Sequence, residues 1–103
     1  MASGMNRLSV GSVVGTGSAI NVTKVGFRPR LVRLYNTGGN CQAFWCSEMA
    51  DASAQKTVDS GSGTTDISTI TSNGITPLAN GFTIGADTDL NASGETIVYE
   101  VFD

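Results

Sequence analysis

Arg30-Leu-Val-Arg-Leu-Tyr-Asn36, Thr37-Gly-Gly-Asn40 and Cys41-Gln-Ala-Phe-Trp-Cys46 run consecutively through the first half of the chain. The first and third segments are short, apolar-rich and free of helix-forming runs, and the second is a turn sequence. Together they read as a β-hairpin. Arg30–Asn36 carries apolar residues on both faces, which suits a strand at the centre of a sheet.

Outward from this hairpin the same alternation of short strands and turns continues. Upstream, Gly26-Phe27-Arg28-Pro29 is a breaker, because Pro29 cannot donate to a ladder and holds Arg28 extended. Ser18–Lys24 alternates, with Ile20 and Val22 opposite Asn21 and Thr23. Residues 1–11 are small and polar and read as a flexible N-terminal arm or a first edge strand. Residues 12–103 read as one β domain. Downstream, the stretch from Glu48 to Val58 is ambiguous: Met49-Ala-Asp-Ala52 could form one helical turn, but no longer amphipathic pattern supports a helix. Ser60-Gly-Ser-Gly63 reads as a flexible loop tip. Asp66–Thr71 reads as a short strand ending at Asn73-Gly74, the dipeptide of a type I′ hairpin turn, after which Ile75 and Thr76 begin the return and Pro77 ends it. Phe82–Gly85 is a further strand introduced by Asn80-Gly81, and Asp87–Gly94 is a polar loop. Glu95–Phe102 is the clearest strand, with Ile97, Tyr99 and Val101 on one face and Val98, Glu100 and Phe102 on the other. About seven strands with turns every ~8–12 residues predict an all-β fold, a small antiparallel β-sandwich or jelly-roll-like barrel.

The chain has 103 residues, 40% hydrophobic and only 15% charged, so it should fold as one domain. So little charge implies that part of the surface is covered by a partner. A net charge of −3 argues against nucleic acid as that partner. All six cations precede residue 57 and seven of the nine acids follow it. Either the fold keeps these regions apart, giving faces of opposite sign that suit ordered docking between copies, or a sheet interleaves the two halves and cancels the asymmetry. No apolar run approaches the ~18 residues of a membrane span, and the N-terminus lacks the apolar region of a secretory signal. Cys41 and Cys46 lie about 16 Å apart in an extended strand and on opposite faces. They should therefore be buried free thiols in a reducing compartment rather than a disulfide, whose Cα atoms must lie within about 7 Å.

The residues that catalysis needs are scarce. There is no histidine. Asp87 and Asp89 form the one close carboxylate pair in a loop, and among Thr, Asn and Ser they should be solvated with low pKa values. Asp87–Ser93 places oxygens at alternate positions like a calcium loop, but Ala92 stands where glycine is required and Val98 where glutamate is. We therefore expect no enzyme, no metal site and no cofactor. Two features suit binding. Arg28, Arg30 and Arg33 either meet a partner's carboxylates or stand as solvated edge charges; Arg28 and Arg30 share a face if the strand runs through Pro29. Trp45 either fills the core or, if exposed, anchors an interface.

Several stretches taken in order resemble a known family. Val25-Gly-Phe-Arg-Pro-Arg-Leu-Val-Arg-Leu-Tyr-Asn36, Met49-Ala-Asp51 with Lys56-Thr57, Thr71-Ser-Asn-Gly-Ile-Thr76, Gly81-Phe-Thr-Ile-Gly-Ala-Asp87 and Gly94-Glu-Thr-Ile-Val-Tyr99 are similar to small proteins encoded beside tailed-phage capsid genes. The likeness covers most of residues 18–102. It implies a capsid decoration, or cement, protein. Such proteins are β-sandwich or jelly-roll modules, often dimers or trimers, that sit on the capsid exterior and clamp neighbouring capsomers against DNA pressure. The implied partners are the major capsid protein and other copies of the chain, with neither nucleic acid nor membrane, and the implied location is the virion surface after synthesis in the host cytoplasm. The alternative is a tail, fibre or baseplate module that binds a host-surface glycan or another tail protein.

Overall fold

The computed structural model describes residues 7–59 and 63–103, and these form eight β-strands and no helix. They are β1 (Leu8–Val14), β2 (Ile20–Val22), β3 (Leu31–Asn36), β4 (Cys41–Cys46), β5 (Ser53–Asp59), β6 (Thr65–Leu78), β7 (Gly81–Ile84) and β8 (Thr96–Phe102). All belong to one antiparallel sheet in the order β1-β8-β3-β4-β5-β6-β7-β2, curled into a half-barrel. The all-β expectation holds, with the two layers made by one sheet bending back on itself.

The hairpin that opened the sequence reading is the middle of this sheet. β3 pairs with β4 from Leu31 opposite Cys46 to Asn36 opposite Cys41, and on its other side with β8. Its inward residues Val32, Leu34 and Asn36 are buried, while Arg33 and Tyr35 face out. β8 keeps the expected division, with Ile97, Tyr99 and Val101 buried. The 8–11 part of the presumed arm is edge strand, since β1 pairs along its whole length with β8. Residues 1–6 of that segment lie outside the described residues, as do 60–62 of the presumed loop tip.

The curl brings distant strands together. β7 and β8 are separated by four strands in the sheet, yet the rings of Phe82 and Tyr99 meet edge to face, with centroids 5.5 Å apart. Ile75, Phe82, Ile84, Ile97, Val32 and Val101 fill the space between the walls, each fully buried. Each such side chain contributes about 1.5–3 kcal/mol of burial. One end is closed by the segment between β7 and β8, whose Leu90 is also fully buried. Two buried asparagines fasten this plug. Asn91 donates to the carbonyls of Ser18 and Gly85 and accepts from the Thr16 amide. Asn36 donates to the Asp89 carbonyl and the Glu95 carboxylate and accepts from the Gly38 and Gly39 amides.

Three local expectations are corrected. Met49–Ala52 is not a helical turn but part of the tight connection from β4 to β5, with Ala52 at φ 66°. The following segment, Ser53–Asp59, is a strand. Asn73-Gly74 does not reverse the chain. It lies inside β6, in a bulge between Ile70, which faces Ala54, and Ile75, which faces Ser53. Asn73 does adopt the expected positive φ, 58°. It bends the strand rather than folding it back, because both flanks find partners, β5 before the bulge and β7 after it. Pro77 stays within β6, opposite Phe82, and the reversal comes at Ala79-Asn80.

Candidate docking face

The strand registers sort the side chains into rows. One row on the outer face runs Leu8, Phe102, Leu31, Cys46. The next runs Val10, Glu100, Arg33, Phe44, Gln55. A third runs Ser12, Val98, Tyr35, Gln42, Thr57, Ile67. Five large hydrophobic residues are strongly exposed among the described residues: Leu8 58%, Val10 62%, Val14 59%, Tyr35 41% and Ile67 66%. All five lie on this one face. Around them Leu31, Phe44, Val98 and Phe102 are half-buried in the same rows. This concentration of exposed apolar side chains on one side of the sheet makes that side the candidate for meeting another molecule.

The outer face also holds a groove of about 220 Å³ lined by Tyr35, Asn40, Gln42, Thr57 and Asp59. One aromatic ring is set there among amide, hydroxyl and carboxylate groups.

The arginines do not form one cluster. β3 starts at Leu31, so no strand runs through Pro29 and the condition for Arg28 and Arg30 to share a strand face is not met. Arg30 donates to the Asp103 carbonyl at 3.3 Å, and Arg33 lies 3.9 Å from Glu100 across the outer face. Arg28 is exposed ahead of the buried Pro29. Arg7, which the sequence did not single out, bonds Asp103 at 2.7 Å and stacks over Phe27.

Trp45 is corrected as an interface anchor. It is 2% exposed, and its Nε1 donates to the Ala50 carbonyl, so the ring is core and offers a partner no surface. The cysteines are free and face opposite sides, Cys41 inward and Cys46 half-buried outward.

The Asp87–Asp89 pair is not simply solvated. Lys56 reaches from β5 and places Nζ 2.9 Å from a carboxylate oxygen of each. Asp87 is mostly covered; Asp89 stays half-exposed. Asp87 Oδ1 also accepts the Asp89 and Leu90 amides, which makes an Asx turn. Burial alone would raise the Asp87 pKa, but the Lys56 ammonium and the two amides outweigh it and hold the carboxyl below its ordinary range. The ammonium thus stands between the two carboxylates that most resembled a cation loop.

The docking face was hard to find in the sequence. Leu8-Ser-Val-Gly-Ser-Val-Val14 alternates, but only its register against β8 shows that Leu8, Val10 and Val14 point outward. Comparison with known proteins finds no family model, no curated protein and no solved structure that matches this chain.

Proposed function

We propose that this chain is a virion structural protein, a decoration protein that binds the outer capsid surface through the outer face of its sheet and stabilises contacts between capsomers. The observation that carries the reading is the placement of all five exposed large hydrophobics on that face. A face of this kind suits a flat, repetitive partner. Each contact needs only modest affinity, because neighbouring contacts on one lattice reinforce it. The resemblance to proteins encoded beside capsid genes supplies the partner's class, the major capsid protein. In this reading the chain performs no catalysis and uses no cofactor.

The test is cosedimentation with undecorated capsid shells of the virus that encodes the chain. Val10→Asp and Ile67→Asp lie on opposite flanks of the face, and both side chains are exposed. Each is expected to weaken binding at least roughly tenfold while leaving melting nearly unchanged. Wild-type protein that stays in the supernatant at saturating shell concentration would falsify the proposal.

A second reading is favoured by the Tyr35 groove. An aromatic ring beside Asn40, Gln42 and Thr57 offers what a neutral saccharide needs, a flat apolar platform with fixed polar groups around it. A tail, fibre or baseplate module binding host-surface glycans would use it so. Binding on a glycan array that disappears with Tyr35→Ala, together with no affinity for shells, selects this reading over the first.

A further inference from the structure

The side of β1 turned away from β8 has a geometry of its own, distinct from that of the outer face. Among the described residues β1 pairs with β8 only, and β2, the opposite end of the sheet, pairs with β7 only, so these strands do not close the half-barrel by hydrogen bonds. A groove of about 110 Å³ remains between Ser12 and Val13 on one side and Asn21–Lys24 on the other.

The hydrogen bonds at the two ends of β1 fix which backbone groups are free. The Asp103 amide donates to the Arg7 carbonyl, and the Gly15 amide donates to the Glu95 carbonyl. In an antiparallel ladder bonded and non-bonded pairs alternate, so Ser9, Gly11 and Val13 also exchange their bonds with β8. Leu8, Val10, Ser12 and Val14 then turn both amide and carbonyl away from it. Among the described residues no other strand takes them.

This edge lacks the usual defences. Leu8–Val14 contains no charged residue, no proline and no bulge in its register with β8. Exposed edges ordinarily carry one of these, because a bare edge templates another strand. The sequence is also self-complementary. A two-fold axis through Gly11 sets Leu8 opposite Val14 of the partner subunit, and Val10 opposite Ser12 of the partner subunit. Every pair then joins residues whose amides and carbonyls point at each other, and Leu8 packs beside the partner's Val14 on the outer face.

We propose that two copies of this chain join antiparallel through β1 around Gly11, making one sheet continuous across both. The occupant is a second copy because this register satisfies both chains at once and brings no charge against like charge. Seven residues extend only about 24 Å. The contact buries less than the ~800 Å² per partner of a standard interface, so the dimer is reversible. It does not depend on the capsid reading, since it uses the edge of the sheet rather than its face.

Sedimentation equilibrium of the full chain from about 10 µM to 1 mM tests it, with a dissociation constant expected at tens of micromolar. Ser12→Pro removes an outward amide without touching the β8 ladder and is expected to weaken the dimer at least tenfold. Should that variant fail to fold, Val10→Lys places two like charges near the axis and serves instead. In a Cys46→Ser background, mixing Val10→Cys with Ser12→Cys protein is expected to give a disulfide heterodimer faster than either alone, because only the mixture places thiols directly opposite. Three results overturn the proposal: a monomer at every concentration, a dimer unchanged in the edge variant, or β1 amides protected from exchange only on capsid shells. The last assigns the edge to the coat protein.

Discussion

Lys56 reaches the inner side of the sheet from a strand that the sequence left ambiguous, and it neutralises two acids of a loop more than thirty residues away. Burial lowers its own pKa, but the hydrogen bonds it donates to Asp89 and Asp87 more than reverse this, and the net shift is upward. Asp87 is shifted downward. The two signs give a pH window. The depressed Asp87 contributes stability that is present above the unfolded carboxyl value, near 3.9, and is lost as pH falls below it. The raised Lys56 contributes stability that is present below its unfolded value, about 10.5, and is lost as pH climbs past it. Lys56→Met leaves a mostly buried carboxylate without its partner and is expected to cost about 2 kcal/mol at pH 7 in urea unfolding. The gap between variant and wild type should close as pH falls below the ordinary carboxylate range, because Asp87, held lower in the native protein, protonates only there. A gap that stays constant down to pH 2 means the ion pair contributes nothing and the loss is one of packing. Cys41 lies close by. Burial, chiefly, pushes its thiol up to about 11, so in the native state it should resist maleimide while Cys46 on the outer face reacts first.

At the scale of the element, β6 is where the sheet turns. Its first half lies along β5 and its second along β7, and the four residues between them, Thr71 to Gly74, have no counterpart in β5. Gly74 donates to the Ala52 carbonyl and accepts from the Gly85 amide, so the bend is stitched on both sides. A Cβ at Gly74 would lie 2.5 Å from the Ser53 carbonyl oxygen. Gly74→Ala is therefore expected to cost about 1–3 kcal/mol by backbone displacement. Asn73→Val should cost about 1–2 kcal/mol because a branched residue resists positive φ, whereas Asn73→Gly should fall within about 0.5 kcal/mol of wild type. If Asn73→Val unfolds at the wild-type urea concentration, the bulge is not the fixed corner described. The same element marks how far sequence carries. Asn-Gly states a local backbone requirement, and that requirement is met. Whether positive φ makes a hairpin or a corner depends on which strands lie alongside, and those partners are remote. β3, β4 and β8 were legible because each alternates or is apolar enough to commit one face inward. β5, Ser-Ala-Gln-Lys-Thr-Val-Asp, mixes small and polar residues on both faces and gives no such pattern. The docking face was illegible for a related reason. Tyr35 and Ile67 meet in one row only through β4 and β5, and no local pattern encodes that.

Across the whole molecule, strand order decides where charge goes. β8 lies between β1 and β3, so the acid-rich end of the chain is threaded through the cation-rich beginning. Arg7 and Arg30 meet Asp103, Arg33 meets Glu100, and Lys56 meets Asp87 and Asp89. The asymmetry along the sequence is thereby largely spent within the fold, and the outer face carries rows of apolar and uncharged polar side chains with the weak Arg33–Glu100 pair among them. Docking through such a face should depend little on ionic strength. Raising salt from about 0.05 to 0.5 M shortens the screening length from roughly 14 to 4 Å, enough to abolish attraction between separated surface charges. Burial of Leu8, Val10 and Ile67 is not screened and strengthens slightly if sulfate replaces chloride. Cosedimentation with shells should accordingly change less than about threefold over that range and should be enhanced by sulfate. A drop of more than about tenfold points elsewhere, to Lys24 and Arg28. These two cations make no ion pair among the described residues, and they would then set the contact through the loops flanking β2 and β3 rather than through the sheet face.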